Sequence, residues 1–381
     1  MQQLPKSLSD KLAQRQQNGL LRQLPTPSSL IDFASNDYLG LSQSKTIFDA
    51  AHQYLIEHNS ITNGATGSRL ISGNHNIYNQ VESYIAQVHN TKNALIFNSG
   101  YDANVGFFSC VPQKGDVVLY DEFIHASIRD GMRLSNAIAY KFPHNNLDAL
   151  KKLIERHKGT AIELYIVTES VFSMDGDSPD LTALAELAAN HNCKLIVDEA
   201  HALGVFGIKG EGLVQHLELQ DKVFARIMTF GKGLGSHGAV ILGSKALMDY
   251  LVNFARSFIY TTGLPPHSVA TVFCAYKQLQ EDDENRKKLK SNIQFFKAEV
   301  KRLELTTFIH SNSAIHCTIL SGNEKVKNIA QQLQHSGYNV KAILSPTVPK
   351  EKERLRFCLH SYNTPSEITA VLAHLKLTLQ A

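Results

Sequence analysis

Short apolar runs alternate with amphipathic helical stretches through the middle of this chain. That alternation narrows the fold more than any other feature. NALIF (93–97), DVVLYDE (116–122), ELYIVTE (163–169), KLIVDEA (194–200) and FARIMTF (224–230) are rich in β-branched and aromatic residues and read as strands. Helical periodicity covers 46–58 and 75–89, a helix opens near Tyr101, and LDALKKLIERH (147–157) is helical. LTALAELAANH (181–191) is another helix, capped by Ser178 or Asp180. Apolar strands separated by helices predict an α/β fold, a mostly parallel sheet covered by helices on both faces.

The flanks differ from this middle. Residues 7–24 predict an amphipathic helix with Leu8, Leu12, Leu20 and Leu21 on one side. Pro25, Pro27 and the ordered loop FASNDYLGLS (33–42) complete an N-terminal arm, 1–42. The large α/β domain spans 43–280. After Pro265 and Pro266 a long helical region runs to about 303 through the charged stretch EDDENRKKLK, a solvated face. AIHCTIL, EKVKNIAQQLQ, YNVKAI and RLRFCLH then predict a smaller α+β domain, 281–381.

Composition removes several classes. With a net charge of +3 and no basic stripe, the chain gives no support for nucleic-acid or membrane-surface binding. Five scattered cysteines (Cys110, Cys193, Cys274, Cys317, Cys358) without C-x-x-C spacing argue against a disulfide framework or a zinc site. No apolar run reaches membrane-spanning length and MQQLPKSLSDKLAQRQQ lacks a signal-peptide core, so a cytoplasmic protein is expected.

The strand ends carry the chemistry. In open parallel sheets ligands bind beyond the carboxyl ends of the strands. NALIF is followed by Asn98-Ser99-Gly100-Tyr101 opening a helix, a ready anion site. His125 follows the second run; Glu169 and Ser173 follow the third, and Asp198 and His201 the fourth. FARIMTF leads into Gly231-Lys232-Gly233-Leu234-Gly235, then the apolar 239–242. Alone, a lysine on a glycine turn is an ordinary solvated side chain. On one rim with the others, Lys232 fits a Schiff-base amine, Asp198 the partner of a ring nitrogen and His125 a stacking group. Ser99, Gly100 and Thr229 would donate to phosphate or ring oxygen, which together describe pyridoxal phosphate. Asp198-Glu199-Ala200-His201 also spells the D-E-A-H box of nucleotide hydrolases, but the required phosphate loop is missing. Gly233, Gly235 and Gly238 match a dinucleotide fingerprint, yet they lead into a strand instead of a helix. His201 has no second histidine or cysteine at metal-ligand spacing, so no metal is expected.

FASNDYLGLS, GATGSRLISG, FNSGYDANVG, DEFIHASIRDG, TESVFSMDGD, VDEAHALGVFG, TFGKGLG, IYTTGLPP and SPTVP…RLRF occur in this order. With them the chain resembles the α-oxoamine synthases, from about Leu12 to the C-terminus. The resemblance implies a fold-type I pyridoxal phosphate enzyme, a homodimer with shared active sites. It implies Lys232 as the Schiff-base lysine, Asp198 on the pyridinium nitrogen, His125 stacked on the ring and His201 on the ring hydroxyl. It implies cofactor contacts from Ser99, Gly100, Tyr101, Ser173 and Thr229. Thr261 and Thr262 of IYTTG would reach the neighbouring subunit's phosphate, since that segment has no evident role in its own. Arg356 would grip the amino-acid carboxylate, with Asn36 and Arg22 on the substrate side.

The implied reaction is decarboxylative condensation of an amino acid with an acyl thioester, carried by coenzyme A or an acyl carrier protein. TFGKGLG, GAVILG and IYTTGLPP resemble most the branch that uses L-alanine and a pimeloyl thioester. Glycine C-acetyltransferase and serine palmitoyltransferase are the alternatives. Three departures stand out: a short stretch before FASNDYLG, Tyr78 where many members carry histidine, and Asn363 in HSYNT where A-T-H-T is common.

Overall fold

The computed structural model describes residues 4–24 and 29–380. The chain opens with helix α1 (Lys6–Gln17) and a short strand β1 (Ile31–Asp32), followed by helices α2 (Lys45–Glu57) and α3 (Ile77–Val88). Seven strands then build the main sheet: β2 (Asn93–Phe97), β3 (Val117–Asp121), β4 (Ile138–Phe142), β5 (Leu164–Glu169), β6 (Lys194–Asp198), β7 (Ala225–Thr229) and β8 (Ala239–Gly243). Their order is β2-β8-β7-β6-β5-β3-β4. Only β8 runs antiparallel to its neighbours. Every side chain of β5 is buried, as expected of a strand covered on both faces. Helices α4 (Gly100–Cys110) and α5 (Ala126–Leu134) follow β2 and β3.

A smaller antiparallel sheet is made of β9 (Ile315–Ile319), β11 (Lys341–Ile343) and β12 (Arg354–Cys358), with β12 in the middle. Strand β10 (Tyr338–Asn339) pairs in parallel with β1 as a separate two-stranded sheet. Cys358 N–H also donates to Phe33 O at 2.8 Å. Arg356 therefore sits beside Asn36 although 320 residues separate them.

Several sequence expectations need correcting. The arm helix ends at Gln17 instead of near residue 24, and it buries none of its residues. Leu8 and Leu12, the presumed inner side, are 47% and 48% exposed. Pro25 and Pro27 lie outside the described residues. The helical region after Pro266 is two helices, Pro266–Glu281 and Glu284–Arg302, interrupted at Asp282 and Asp283. Strand β4 went unread because it is an edge strand with three of its five residues exposed. Such a strand shows none of the apolar run that marks its buried neighbours. Asp180, by contrast, does cap its helix, its carboxylate accepting from Ala183 N–H at 2.9 Å.

Candidate active site

The carboxyl ends of β3, β5, β6 and β7 converge on one cavity of about 210 Å³. Its walls include Gly100, Asn104, His125, Glu169, Asp198 and Lys232. Strand alternation decides who faces in. Glu169 and Asp198 are register partners on adjacent parallel strands, so both carboxyls point the same way. Burial and the neighbouring Asp198 charge push the Glu169 pKa well above the carboxylate range.

Asp198 is held by two donors, Asn104 Nδ2 at 3.0 Å and Ala200 N–H at 2.9 Å. Asn104 also donates to Ser127 Oγ at 3.0 Å, and Ser127 Oγ lies 2.7 Å from His125 Nδ1. His125 is the N-cap of α5, its Nδ1 accepting from Ser127 N–H at 3.3 Å. A backbone N–H can only donate, so Nδ1 carries no proton and the proton sits on Nε2. Burial, with the Lys232 and Arg129 cations, lowers the His125 pKa despite the pull of Asp198. The ring is thus a neutral imidazole with a fixed tautomer, exposed toward the cavity.

A second chain of contacts starts at Lys232. Its turn lies directly on the one after His201, because a side chain on Gly233 would come within 2.2 Å of Leu203 O. Burial lowers the Lys232 pKa to about 8, with Asp198 and Glu169 pulling the other way. Lys232 Nζ lies 2.8 Å from His201 Nε2, and His201 Nδ1 lies 2.6 Å from the Tyr38 hydroxyl. Burial and the Lys232 and Arg356 cations keep His201 neutral. When Lys232 is an ammonium it can only donate, so Nδ1 holds the His201 proton and donates to Tyr38. Tyr38 donates onward to Asn36 Oδ1 at 3.2 Å, which also accepts from Arg356 Nη2 at 2.8 Å. Arg356 Nε donates to Ser173 O at 2.8 Å. The guanidinium is 6% exposed and has no carboxylate partner among the described residues.

The remaining expected residues are spread more widely. Ser99 is the N-cap of α4, accepting from Asp102 N–H at 3.0 Å and donating to Asp102 Oδ2 at 2.8 Å. Its neighbour Gly100 packs so closely that a Cβ there would sit 3.4 Å from Thr229 Cβ. Tyr101 is 51% exposed, its hydroxyl donating to Asp130 at 2.9 Å. Ser173 lines the adjacent cavity instead of this one. Asn98 Nδ2 donates to Thr261 Oγ1 at 3.1 Å and to Thr262 O at 2.6 Å. IYTTG therefore does have a role in its own chain, contrary to the sequence reading. Arg22 lies exposed on the arm and has no hydrogen bond or ion pair among the described residues. Asn363 accepts from His360 N–H at 2.9 Å, and Tyr78 clasps Leu264 through both backbone groups. Both departures from the family pattern thus serve local packing.

Do these groups suit pyridoxal phosphate? Asn104 Oδ1 and Glu169 Oε1 are buried without a hydrogen-bond partner, and both residues line the cavity. Two orphaned polar atoms, a desolvated amine and the N-terminus of an eleven-residue helix suit a polar, phosphate-bearing ring. The fit is good.

The sequence profile of class I and II aminotransferases matches residues 28–375. An 8-amino-7-oxononanoate synthase from Emericella nidulans is 40% identical, over 99% of this chain and 97% of that protein. Among solved structures, a serine palmitoyltransferase from S. paucimobilis with bound PLP-myriocin superposes with a TM-score of 0.88 at 26% identity, covering 98% of this chain and 97% of that one. The 8-amino-7-oxononanoate synthase from Francisella tularensis gives a TM-score of 0.78 at 30% identity, covering 92% and 98%.

Proposed function

The chain belongs to the class I and II aminotransferase family, and from that premise we propose that it condenses L-alanine with a pimeloyl thioester to give 8-amino-7-oxononanoate, carbon dioxide and the free thiol carrier, a step of biotin synthesis. One observation carries the reading: Lys232, Asp198 and His125, from three separate strand ends, line a single cavity beside a helix N-terminus. Full-length similarity to a synthase of that name at 40% identity supports the choice of reaction over the serine palmitoyltransferase alternative at 26%. A nucleotide hydrolase has no support: Glu199 of the D-E-A-H string is turned away from the cavity and ion-paired with Arg226.

Pyridoxal phosphate, when bound, supplies an aldehyde carbon and an electron-withdrawing ring. The chain's residues do the rest. Lys232 would hold the aldehyde carbon and then, as a free amine, take the α-proton of the amino acid. Its lowered pKa leaves a usable neutral fraction near pH 7–8. Asp198, fixed by Asn104 and Ala200, would keep the ring nitrogen protonated. His125 would press its face on the ring, with Ser127 locking the imidazole's orientation. The Gly100–Tyr101 N–H groups, with Ser99 as cap, would bind phosphate. His201 would release Lys232 and turn its Nε2 to the ring hydroxyl. Arg356, a buried cation with no ion pair among the described residues, would bind the alanine carboxylate together with Asn36.

The reading treats 43–280 as the cofactor domain and 281–381 as the domain that delivers Arg356. It also takes the enzyme as a cytoplasmic homodimer. Leu70, Ile71 (86% exposed) and Tyr260 support the dimer as large exposed apolar side chains on two segments joined by Gly263 N–H to Gly67 O at 3.0 Å. Among the described residues no helix is long and apolar enough to cross a membrane.

The test is a panel of glycine, serine and alanine against acetyl, pimeloyl and palmitoyl thioesters on the cofactor-loaded enzyme. Alanine with pimeloyl is expected to give the highest kcat/KM. Preference for serine with palmitoyl overturns the substrate assignment, and no amino ketone from any pair overturns the reaction.

A further inference from the structure

A second cavity, of about 230 Å³, adjoins the first, with His125 in the lining of both. Its walls include the apolar Phe123, Ile124, Met174, Val348 and Pro349, and of the two arginines in its lining Arg354 is ion-paired with Asp175, whereas Arg129 has no ion pair among the described residues. The nearby acids are all committed elsewhere. Glu122 accepts from His144 N–H at 3.1 Å, Asp130 from Arg133 at 3.3 Å and Tyr101 at 2.9 Å, and Asp175 is ion-paired with Arg354. Arg129 Nη2 donates to the Glu122 carbonyl, but its Nε is buried with no partner. An arginine in a largely apolar lining without an ion pair favours a ligand that brings an anionic group to it.

We infer that Arg129 determines acyl specificity, its guanidinium binding the distal carboxylate of a dicarboxylic acyl thioester while the methylenes lie along Phe123, Met174 and Val348. The inference rests on the acyl-transfer reading of the Lys232 site. The chemistry needs a chain that is apolar along its length and anionic at its far end. A fatty acyl chain ending in methyl would leave Arg129 unpaired, whereas a dicarboxylic chain satisfies both the walls and the cation.

The experiment compares pimeloyl with heptanoyl thioesters on one carrier, using the cofactor-loaded enzyme. The kcat/KM ratio of pimeloyl to heptanoyl should exceed one in the parent protein. It should fall about 10- to 100-fold in Arg129→Leu, the loss expected for one charge-assisted pair, and recover partly in Arg129→Lys. In parallel, calorimetry should detect binding of free pimelate but not heptanoate to the parent enzyme, and no pimelate binding to Arg129→Leu. A parallel fall for both thioesters, or an unchanged ratio, overturns the role of Arg129. So does equal binding of the two free acids by the parent enzyme, a readout that stands even if Arg129→Leu fails to fold. If the parent enzyme condenses neither thioester, the acyl-transfer reading itself has failed.

Discussion

Asp198 and Glu199 are adjacent carboxylates at the end of one strand, and the protein treats them in opposite ways. Glu199 turns away from the cavity, where both of its carboxylate oxygens have partners. Oε2 accepts from Arg226 Nε at 2.8 Å and is ion-paired with Nη2 at 2.7 Å, and Oε1 accepts from Val214 N–H at 2.9 Å. Arg226 Nη1 donates to His89 O and Nη2 to Glu211 O. Even the space is closed, since a Cβ on Gly212 (φ +106) would fall 2.8 Å from the Glu199 carboxylate. Asp198 turns forward into a cavity whose neighbours Asn104 and Glu169 each have an unpaired atom, near an amine whose charge burial disfavours. A polar cluster that satisfies itself is architecture; one left short of partners is waiting for a ligand.

The site side of this contrast should break first at Lys232. Lys232→Ala is expected to lose borohydride-stable attachment of pyridoxal phosphate and at least about 10³-fold in kcat. Attachment to the parent apoprotein should quicken as pH rises through about 8, because only the neutral amine attacks. The sign for stability follows. Burial depresses the lysine's folded-state pKa, so the parent apoprotein loses stability as pH falls through about 8, and Lys232→Met should not. A reducible cofactor bond in Lys232→Ala would remove the lysine from its role.

Substituting the two carboxylates separately sharpens the comparison. Asp198→Asn should leave the melting temperature nearly unchanged while lowering kcat by about 10²–10³-fold. Glu199→Gln should do the reverse, costing about 3–5 kcal/mol of stability by stranding the buried Arg226, with the spectrum of bound cofactor unaltered in the folded protein. If Glu199→Gln instead silenced a fully stable enzyme, the two carboxylates would have been assigned the wrong way round.

The difference also explains what could be read before any coordinates. Strands β2, β5, β6 and β7 were legible because burial on both faces leaves an apolar run, and each strand end advertised its polar residue by position. Lys232, Asp198, His125 and His201 are singled out by that position, and all four line one cavity. The residues that join them were not. Asn104, Ser127 and Tyr38 act through single side-chain hydrogen bonds to segments 94, 23 and 163 residues distant, which leave no periodicity. Glu199 carried a misleading signal, because its D-E-A-H context resembles a nucleotide motif while its partner Arg226 lies on the next strand. Arg129 carried none: on a helix, I-R-D-G reads as surface, and only the cavity beside it gives the arginine a meaning.

His144 tests whether a satisfied cluster close to the site still behaves as architecture. Its Nδ1 lies 2.9 Å from Asp121 Oδ1 and its Nε2 2.9 Å from Asp177 Oδ2, bridging the strand that leads to His125 and the turn that carries Ser173. Burial alone would lower its pKa, but the hydrogen bonds to the two aspartates outweigh it and raise the value to about 10. A base raised in the folded state stabilises fully below its unfolded pKa of 6.5 and loses that contribution as pH climbs through about 10. Urea midpoints of the parent protein should therefore fall between pH 6.5 and 10 more steeply than those of His144→Gln. The gap should amount to about 2 kcal/mol at the acid end, smaller than the Glu199 effect because the imidazole remains 18% exposed to screening water. Parallel pH profiles for the two proteins would mean that the imidazolium contributes no net stability, and the bridge would then have to be counted with the site instead of with the scaffold.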